Sequence, residues 1–388
     1  MDNFTSIFSF VLPTKIVFGP NCLELLGEEL SLLGGTRPLI ITDAGLVKAG
    51  IVQKVLDMMP AGISCSIFDT VQANPKDSDV EAGAKQYRNQ GCDCLLAVGG
   101  GSPIDCAKAI GVLIANEAED IRAFEGKNAG SKPIPPLLCI PTTSGTGSEL
   151  TFSSVITDTS RQFKMTIKNA YTAPRVALCD PTLTLSVPAS ITAATGMDAL
   201  THAIEAYIAT CSEPISDAVA LYAIELINAN LVDAFTDGNN LHARSRMLMG
   251  SMLAGIAFSH SDVASVHCIA EALGGIYDLA HGVCNAVILP HMMEYNLEYS
   301  KERFARIATA MGAPSMLSTE EAARFAVART QELAQLVHLP AFADLGVKQQ
   351  DFPRIAAASA ANISTQSNPR PMEEADYLAV LHIMAKSD

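Results

Sequence analysis

Charged residues are scarce in this chain. They make up only 17% of it, against about 25% in an average soluble protein. Positive charge is scarcest, with 26 Lys plus Arg against 41 Asp plus Glu and a net charge of −15. That balance argues against a nucleic-acid groove, because phosphate binding needs a basic face. Disorder is excluded from the other side: 49% of residues are hydrophobic, and disorder needs low hydrophobicity together with dense charge. No basic residue precedes Lys15, and the apolar stretch before it is broken by Ser9 and Pro13. The opening MDNFTSIFSFVLPTKIVF therefore reads as a strand and not as a secretory signal. The longest clearly apolar uncharged run, 247–261, is too short to cross about 30 Å of hydrocarbon. A soluble, cytoplasmic protein without membrane or nucleic-acid partners is expected.

The cysteines lack pattern. Cys22, Cys65, Cys92, Cys94, Cys106, Cys139, Cys179, Cys211, Cys268 and Cys284 include no C-x-x-C pair, which argues against a zinc finger or a redox motif. Most sit in apolar runs such as CLLAV and LLCIP, where reduced cysteine is a small hydrophobe. Cys92 and Cys94 would share a face if both lay on a strand.

A length of 388 residues suggests two or three domains. In the first half, short β-rich runs alternate with helical patterns. RPLIITD (37–43), SCSIFDT (64–70), CDCLLAVGGGS (92–102), PPLLCIPTT (135–143) and PRVALCD (174–180) read as strands. AGIVQKVLDMM, DSDVEAGAKQYRNQG and PIDCAKAIGVLIAN read as helices between them. This alternation predicts a parallel sheet with helices on both faces. After about Pro188 the texture changes to long helical stretches with few β-branched runs. The expected division is an α/β dinucleotide-binding, Rossmann-like domain over 1–184 and an all-helical domain over 185–388. Low surface charge on so large a chain also suggests a homodimer or higher homo-oligomer.

Two loops carry the first chemical signal. AVGGGSPID ends a buried strand in Gly99, Gly100 and Gly101, with Ser102 placed to cap a helix opening at Pro103. Such a turn brings backbone N–H groups and a helix N-terminus close to a pyrophosphate. It is not G-x-G-x-x-G, so phosphate and plain turn stand about even on this motif alone. PTTSGTGSE (141–149) offers two glycines and five hydroxyl residues but no P-loop lysine. Asp43, which ends the first clear strand in IITDAG, can accept both ribose hydroxyls and repel a 2′-phosphate, favouring NAD over NADP; it can equally be a turn-former.

The second signal is a set of acids and imidazoles. GMDALTHAIEAY places Asp198 and His202 at i and i+4 on one helix face. SVHCIAEALGG repeats the spacing with His267 and Glu271, and His281 follows just before a glycine. Pairs of this kind are more often solvated or capped than metal-binding, yet these segments are otherwise apolar, and buried imidazoles and carboxylates are costly unless paired or coordinated. Asp198, His202, His267 and His281 could hold one divalent ion, Fe(II) or Zn(II), if their helices pack together. Glu271 is a fifth partner, a supporting acid or a proton acceptor. His242, His260, His291, His338 and His382 read as structural or surface residues.

The ordered set GGGSPID, PTTSGTGSE, ATGMDALTHAIEAY, HGVCNAVILPH and NPRP (368–371) resembles the iron-containing, or group III, alcohol dehydrogenases. The match runs from FVLPTKIVFGPN almost to the end of the chain. The resemblance implies a metal in the cleft between a dinucleotide-binding domain and a helical domain, the dehydroquinate synthase-like architecture. By position, Asp198, His202, His267 and His281 look like the family's metal ligands, with iron favoured. Asp43, Asn74, Gly100, Gly101, Ser102, Asp105, Thr142, Thr143, Thr146 and Lys164 look like its cofactor contacts. Many members carry a histidine where this chain has Glu271, which bears on metal choice and substrate preference.

The implied reaction is reversible hydride transfer between a nicotinamide cofactor and a small alcohol, aldehyde or diol, with the metal as Lewis acid. Phe152, Phe258 and Cys268 are candidates for a modest apolar pocket. A rival on the same architecture is a dehydroquinate-synthase-like lyase, whose phosphate- and carboxylate-bearing substrate calls for several basic residues. The stretch 186–241, which holds the first two candidate ligands, contains none. A non-catalytic nucleotide-binding protein is the remaining alternative.

Overall fold

A computed structural model describes residues 7–387; the first part of the expected opening strand, 1–6, lies outside the described residues. The chain divides into two compact units. Leu12–Thr143 with Gly147–Val187 forms the first; the second comprises everything from Pro188 onward, together with 7–11 and Ser144–Thr146.

The first unit begins with β1 (Lys15–Phe18), α1 (Leu26–Leu33), β2 (Pro38–Ile41), α2 (Ala44–Lys48), α3 (Ile51–Asp57) and β3 (Ser66–Phe68). It continues with α4 (Asp77–Asn89), β4 (Cys94–Gly99), α5 (Gly101–Ala115), β5 (Gly126–Lys127) and β6 (Leu137–Pro141). A hairpin, β7 (Ser153–Asp158) and β8 (Phe163–Lys168), precedes β9 (Val176–Cys179). Six strands form one parallel sheet in the order β1-β9-β6-β4-β2-β3. Alternation of side chains along the strands fills two cores. Leu39, Ile41, Leu95, Ala97, Leu137 and Cys139 face one; Ile40, Leu96, Val98, Leu138, Ile140 and Leu178 face the other. With both faces covered, the strands can be apolar throughout, which is why CLLAVG and LLCIP are buried along their whole length.

Strand order fixes where a ligand can enter. From β2 the chain moves outward to β3, and from β4 it moves the other way to β6 and β9. The carboxyl ends of β2 and β4 therefore flank the switch point, the usual crevice for a dinucleotide in open α/β sheets.

Three local expectations need correcting. Cys92 lies in the turn before β4, so it shares no strand face with Cys94. Ser102 is not the N-cap of α5: the helix already begins at Gly101, and the extended Gly100 occupies the cap without a side-chain bond. A turn without a side-chain cap leaves first-turn N–H groups available to another acceptor. The β7–β8 hairpin, paired antiparallel from Ser153 opposite Lys168 to Asp158 opposite Phe163, joins β5 in a separate small sheet that the strand reading overlooked. Its strands mix hydroxyls and charges with apolar residues: Ile156, Met165 and Ile167 enter the core, while Ser153, Val155, Thr166 and Lys168 stay half-buried.

The second unit is helical: α6 (Ala189–Ile208), α7 (Pro214–Thr236), α8 (Leu241–Ser261), α9 (Ser265–Tyr277) and α10 (His281–Asn296). Then come α11 (Lys301–Ala310), α12 (Thr319–Leu336), α13 (Phe352–Ala360) and α14 (Glu374–Ser387). One core joins them, including Met197, Leu200 and Ile204 of α6, Ile224 and Ile227 of α7, and Ile269 and Leu273 of α9. Each such aliphatic side chain contributes roughly 1.5–3 kcal/mol on burial. By length and composition α7 alone among the described helices could cross a membrane; its Ala220, Ala223, Ile224, Ile227 and Leu231 are committed to this core.

Candidate metal and dinucleotide sites

Helix α6 is almost wholly buried, so Asp198 and His202 enter the helical unit with nowhere to be solvated. His267 stands in the first turn of α9 and His281 is the first residue of α10. Each of the four offers a ligand atom, and these atoms all lie within 4.8 Å of one another. Asp198 Oδ2 is 3.9 Å from His202 Nδ1, and Asp198 Oδ1 is 3.8 Å from His281 Nε2. The His267 ring lies 4.5 Å from that of His202 and 5.3 Å from that of His281, centroid to centroid. Phe258 stacks on the outer face of His202 at 4.5 Å. Close approach of α10 to α6 depends on Gly282, where a Cβ would stand 2.6 Å from the Ala194 carbonyl oxygen.

Two further residues complete this cluster, and neither was singled out from sequence. Glu205, one turn after His202, is buried and accepts from His267 Nδ1 at 2.6 Å. The same carboxylate accepts from the backbone N–H groups of Ala264 (3.0 Å) and Val266 (2.7 Å), so it also serves the otherwise uncapped start of α9. Binding a carboxylate through Nδ1 fixes the tautomer and leaves the Nε2 lone pair for an ion. Burial alone would lower the His267 pKa, but the Glu205 hydrogen bond and charge reverse this and hold it above the ordinary value. His202 has no such partner: burial, then the neighbouring His267, keep it well below the usual histidine range. A neutral imidazole is the form that binds metal. Asn285, one turn into α10, directs its amide nitrogen at Asp198 Oδ1 (2.6 Å), His267 Nε2 (3.1 Å) and His281 Nε2 (3.1 Å). Three imidazoles and a carboxylate in one cluster, all buried except the half-buried His281, fit a divalent first-row ion.

Glu271 lies one turn beyond His267 on α9, buried, and its Oε2 accepts from Asn362 Nδ2 at 2.6 Å. Cys268, offered as a pocket residue, instead belongs to the helical core, its thiol donating to the Ala264 carbonyl. His260 anchors the N-terminal segment: Phe10 stacks on its ring at 4.0 Å and its Nε2 meets the Val11 backbone.

The α/β unit gathers most of the remaining candidates at the carboxyl ends of its strands. Asp43 follows β2 and caps α2 by accepting from Leu46 N at 3.0 Å through Oδ1; its Oδ2 accepts no hydrogen bond among the described residues. Turn-former and ribose acceptor are thus compatible roles for one carboxylate. Gly100 and Gly101 follow β4, and a Cβ on Gly100 would lie 2.9 Å from Thr143 Oγ1. Thr142 and Thr143 follow β6, with Thr142 N bonded to the Gly99 carbonyl. Asn74, beyond β3 and with φ of 54°, accepts from Lys164 Nζ of β8 at 2.7 Å. Asp105 has both oxygens engaged, Oδ1 by the Ser148 hydroxyl at 2.5 Å and Oδ2 by Val155 N at 3.0 Å. Beside it Lys108 is completely buried and donates to Ser148, Thr151 and Ser153. Together they clamp the hydroxyl-rich loop. Thr146 belongs, with Ser144 and Gly145, to the helical unit.

Comparison with known proteins agrees with this geometry. Residues 13–181 match the family model described as iron-containing alcohol dehydrogenase, and 192–385 match its C-terminal counterpart. The chain is 43% identical to 1,3-propanediol dehydrogenase of Klebsiella pneumoniae, covering 96% of this chain and 98% of that protein. It is 39% identical to NAD-dependent methanol dehydrogenase of Bacillus methanolicus, again over 96% and 98%. A crystal structure of 1,3-propanediol oxidoreductase superposes with a TM-score of 0.94 at 43% identity, over 98% of this chain and all of that one. The chain belongs to the iron-containing alcohol dehydrogenase family.

Proposed function

We propose that this protein is an NAD-linked, metal-dependent dehydrogenase of short alcohols or diols and the corresponding aldehydes. The observation that carries the reading is the Asp198–His202–His267–His281 cluster, buried but for the half-buried His281, with Glu205 behind His267. Those four residues would hold one divalent ion, iron in preference to zinc. When bound, the ion and the nicotinamide supply a Lewis acid for the substrate oxygen and a partner for hydride exchange. The chain's own residues do the rest. Asp43 offers its free oxygen to the adenosine ribose and disfavours a 2′-phosphate. Gly100, Gly101, Ser102, Thr142, Thr143 and Thr146 present backbone donors and hydroxyls to the pyrophosphate and sugars, while Asn74 and Lys164 bind as a pair. Asp105 acts by positioning the Ser148 loop. Phe258 shields His202 from water, and Phe152 offers apolar surface to the substrate. Glu271, steadied by Asn362, accepts the hydroxyl proton.

The relatives' names point to 1,3-propanediol and methanol as first substrates to try. The lack of Lys and Arg over 186–241 disfavours a lyase acting on a phosphorylated acid. Ten unpaired cysteines suit the reducing cytoplasm, and the low charge density suits a homo-oligomer. The test is NADH and NADPH turnover with a panel of short alcohols, diols and aldehydes after loading with Fe(II) or Zn(II). Metal-dependent NADH turnover on a short alcohol or diol is expected; turnover that ignores the metal, or none with any substrate, contradicts the reading.

A further inference from the structure

The loop 142–149 is held at both ends within the α/β unit, yet its middle, Ser144–Thr146, belongs to the helical unit. At one end Thr142 N donates to the Gly99 carbonyl. At the other, the Ser148 hydroxyl donates to Asp105 and the Ser148 carbonyl accepts from Lys108. Between these anchors Gly145 meets α6. A Cβ on Gly145 would stand 2.7 Å from Thr195 Cβ and 3.1 Å from both the Cα and the carbonyl oxygen of Thr195. The φ of Gly145 lies outside the left-handed region, so contact and not conformation excludes a side chain there.

Thr195 occupies a particular face of its helix. Asp198 and His202 follow it at i+3 and i+7, so the three lie along one side of α6. The Gly145 carbonyl is also turned to the His202 imidazole, where it opposes the effect of burial on the ring. The loop that carries Thr142, Thr143 and Thr146, three candidate nucleotide contacts, thus rests its central glycine on the helix face that carries two candidate metal ligands.

We propose that Gly145 is a positioning residue that couples the two sites, so that a bound ion tightens nucleotide binding. This rests on the metal and dinucleotide readings above. An ion that fixes Asp198 and His202 also fixes the surface on which the loop lies. A loop ordered before the nucleotide arrives presents its hydroxyls and N–H groups at a lower entropic cost. The coupling acts on the pyrophosphate and sugars and does not need the nicotinamide. It is also reciprocal: the nucleotide must tighten the ion by the same factor.

The test uses ADP-ribose, which keeps the pyrophosphate and both riboses but lacks the nicotinamide. Its affinity for the full-length protein is measured by titration calorimetry after chelator treatment, and again with one Co(II) bound per chain and no free metal. A gain of about fivefold or more with Co(II) is expected, the lower end of usual coupling, with an equal gain in Co(II) affinity when ADP-ribose is present. In Gly145→Ala, where the added methyl forces loop and helix apart, the gain is expected to fall by at least half. A glycine with a merely structural role would weaken both ligands and leave the gain unchanged. Far-ultraviolet circular dichroism checks that the variant folds; if it does not, Thr195→Gly, which removes the nearest atom on the helix side of the same contact, takes its place. Equal or weaker ADP-ribose binding with Co(II), or an undiminished gain in the variant, overturns the proposal. Unmutated protein that binds no Co(II) overturns the metal-centre reading and the proposal with it; protein that binds Co(II) but no ADP-ribose does the same for the dinucleotide reading.

Discussion

Glu271 is the candidate proton acceptor, and its surroundings define what it can do. It is buried, lies one helical turn from His267, and has one oxygen tied to Asn362. A carboxylate held in this way keeps its position while a proton moves on or off it. Glu271→Gln preserves the bond from Asn362 and removes the proton acceptor. The expected outcome is a kcat for alcohol oxidation lowered about 10²–10⁴-fold, the usual range for general acid–base catalysis, with loss of the acidic limb of the pH–rate profile. An unchanged profile would assign proton transfer to another group. The four candidate ligands were legible because they stand out as acids and imidazoles in apolar helices. Glu205 and Asn285 carried weaker signals: an acid three residues after His202 and an amide four residues after His281, both at helical spacing. Sequence cannot tell such residues from ordinary polar positions until the partner helix is in place, since Glu205 acts on α9 from α6.

At the scale of elements, the start of α9 shows how the fold and the site depend on each other. Ala264 has no capping side chain, so the first N–H groups of α9 rely on Glu205, which simultaneously orients His267. Glu205→Gln keeps an amide oxygen for the helix but loses the charge-assisted bond to the imidazole. Metal affinity is expected to fall by about 10–100-fold, measured by chelator competition, while helix content by circular dichroism stays near that of the parent. Equal affinity in the variant would mean that packing alone orients His267. The parallel strands and long helices were readable from periodicity, and Gly99–Gly101 from composition. The β7–β8 hairpin was not, because polar residues at alternate positions blurred its pattern. Nor was the true start of α5, where Gly100 and not Ser102 holds the cap position.

Across the whole molecule, charge is scarce, yet many ionisable groups are buried and must be accommodated. Lys108 is satisfied by four oxygens, two on Ser148 of the hydroxyl-rich loop and one each on Thr151 and Ser153 just after it. Glu149, in the same loop, is not: its Oε1 has no partner among the described residues, and burial raises its pKa from 4.5 to about 7. Because the folded value lies above the unfolded one, its contribution is fully present below about pH 4.5. It is lost as pH rises through about 7 and is constant beyond. The span corresponds to roughly 3 kcal/mol. Glu149→Gln should therefore raise Tm over the parent by a margin that widens between pH 5 and 8, read by thermal melts across that range. A margin independent of pH would mean that Glu149 ionises normally in the folded state.

The central claim is that the cluster on α6, α9 and α10 holds one ion on which the reaction depends. It is tested most directly by measuring NADH formation from 1,3-propanediol against bound metal per chain, as chelator-treated protein is reloaded with Fe(II). A rate rising in proportion to bound iron and levelling at one ion per chain, with His281→Ala unable to retain either ion or rate, is the predicted result. A metal-free protein that turns over at the full rate, or a His281→Ala variant that keeps both, would contradict it.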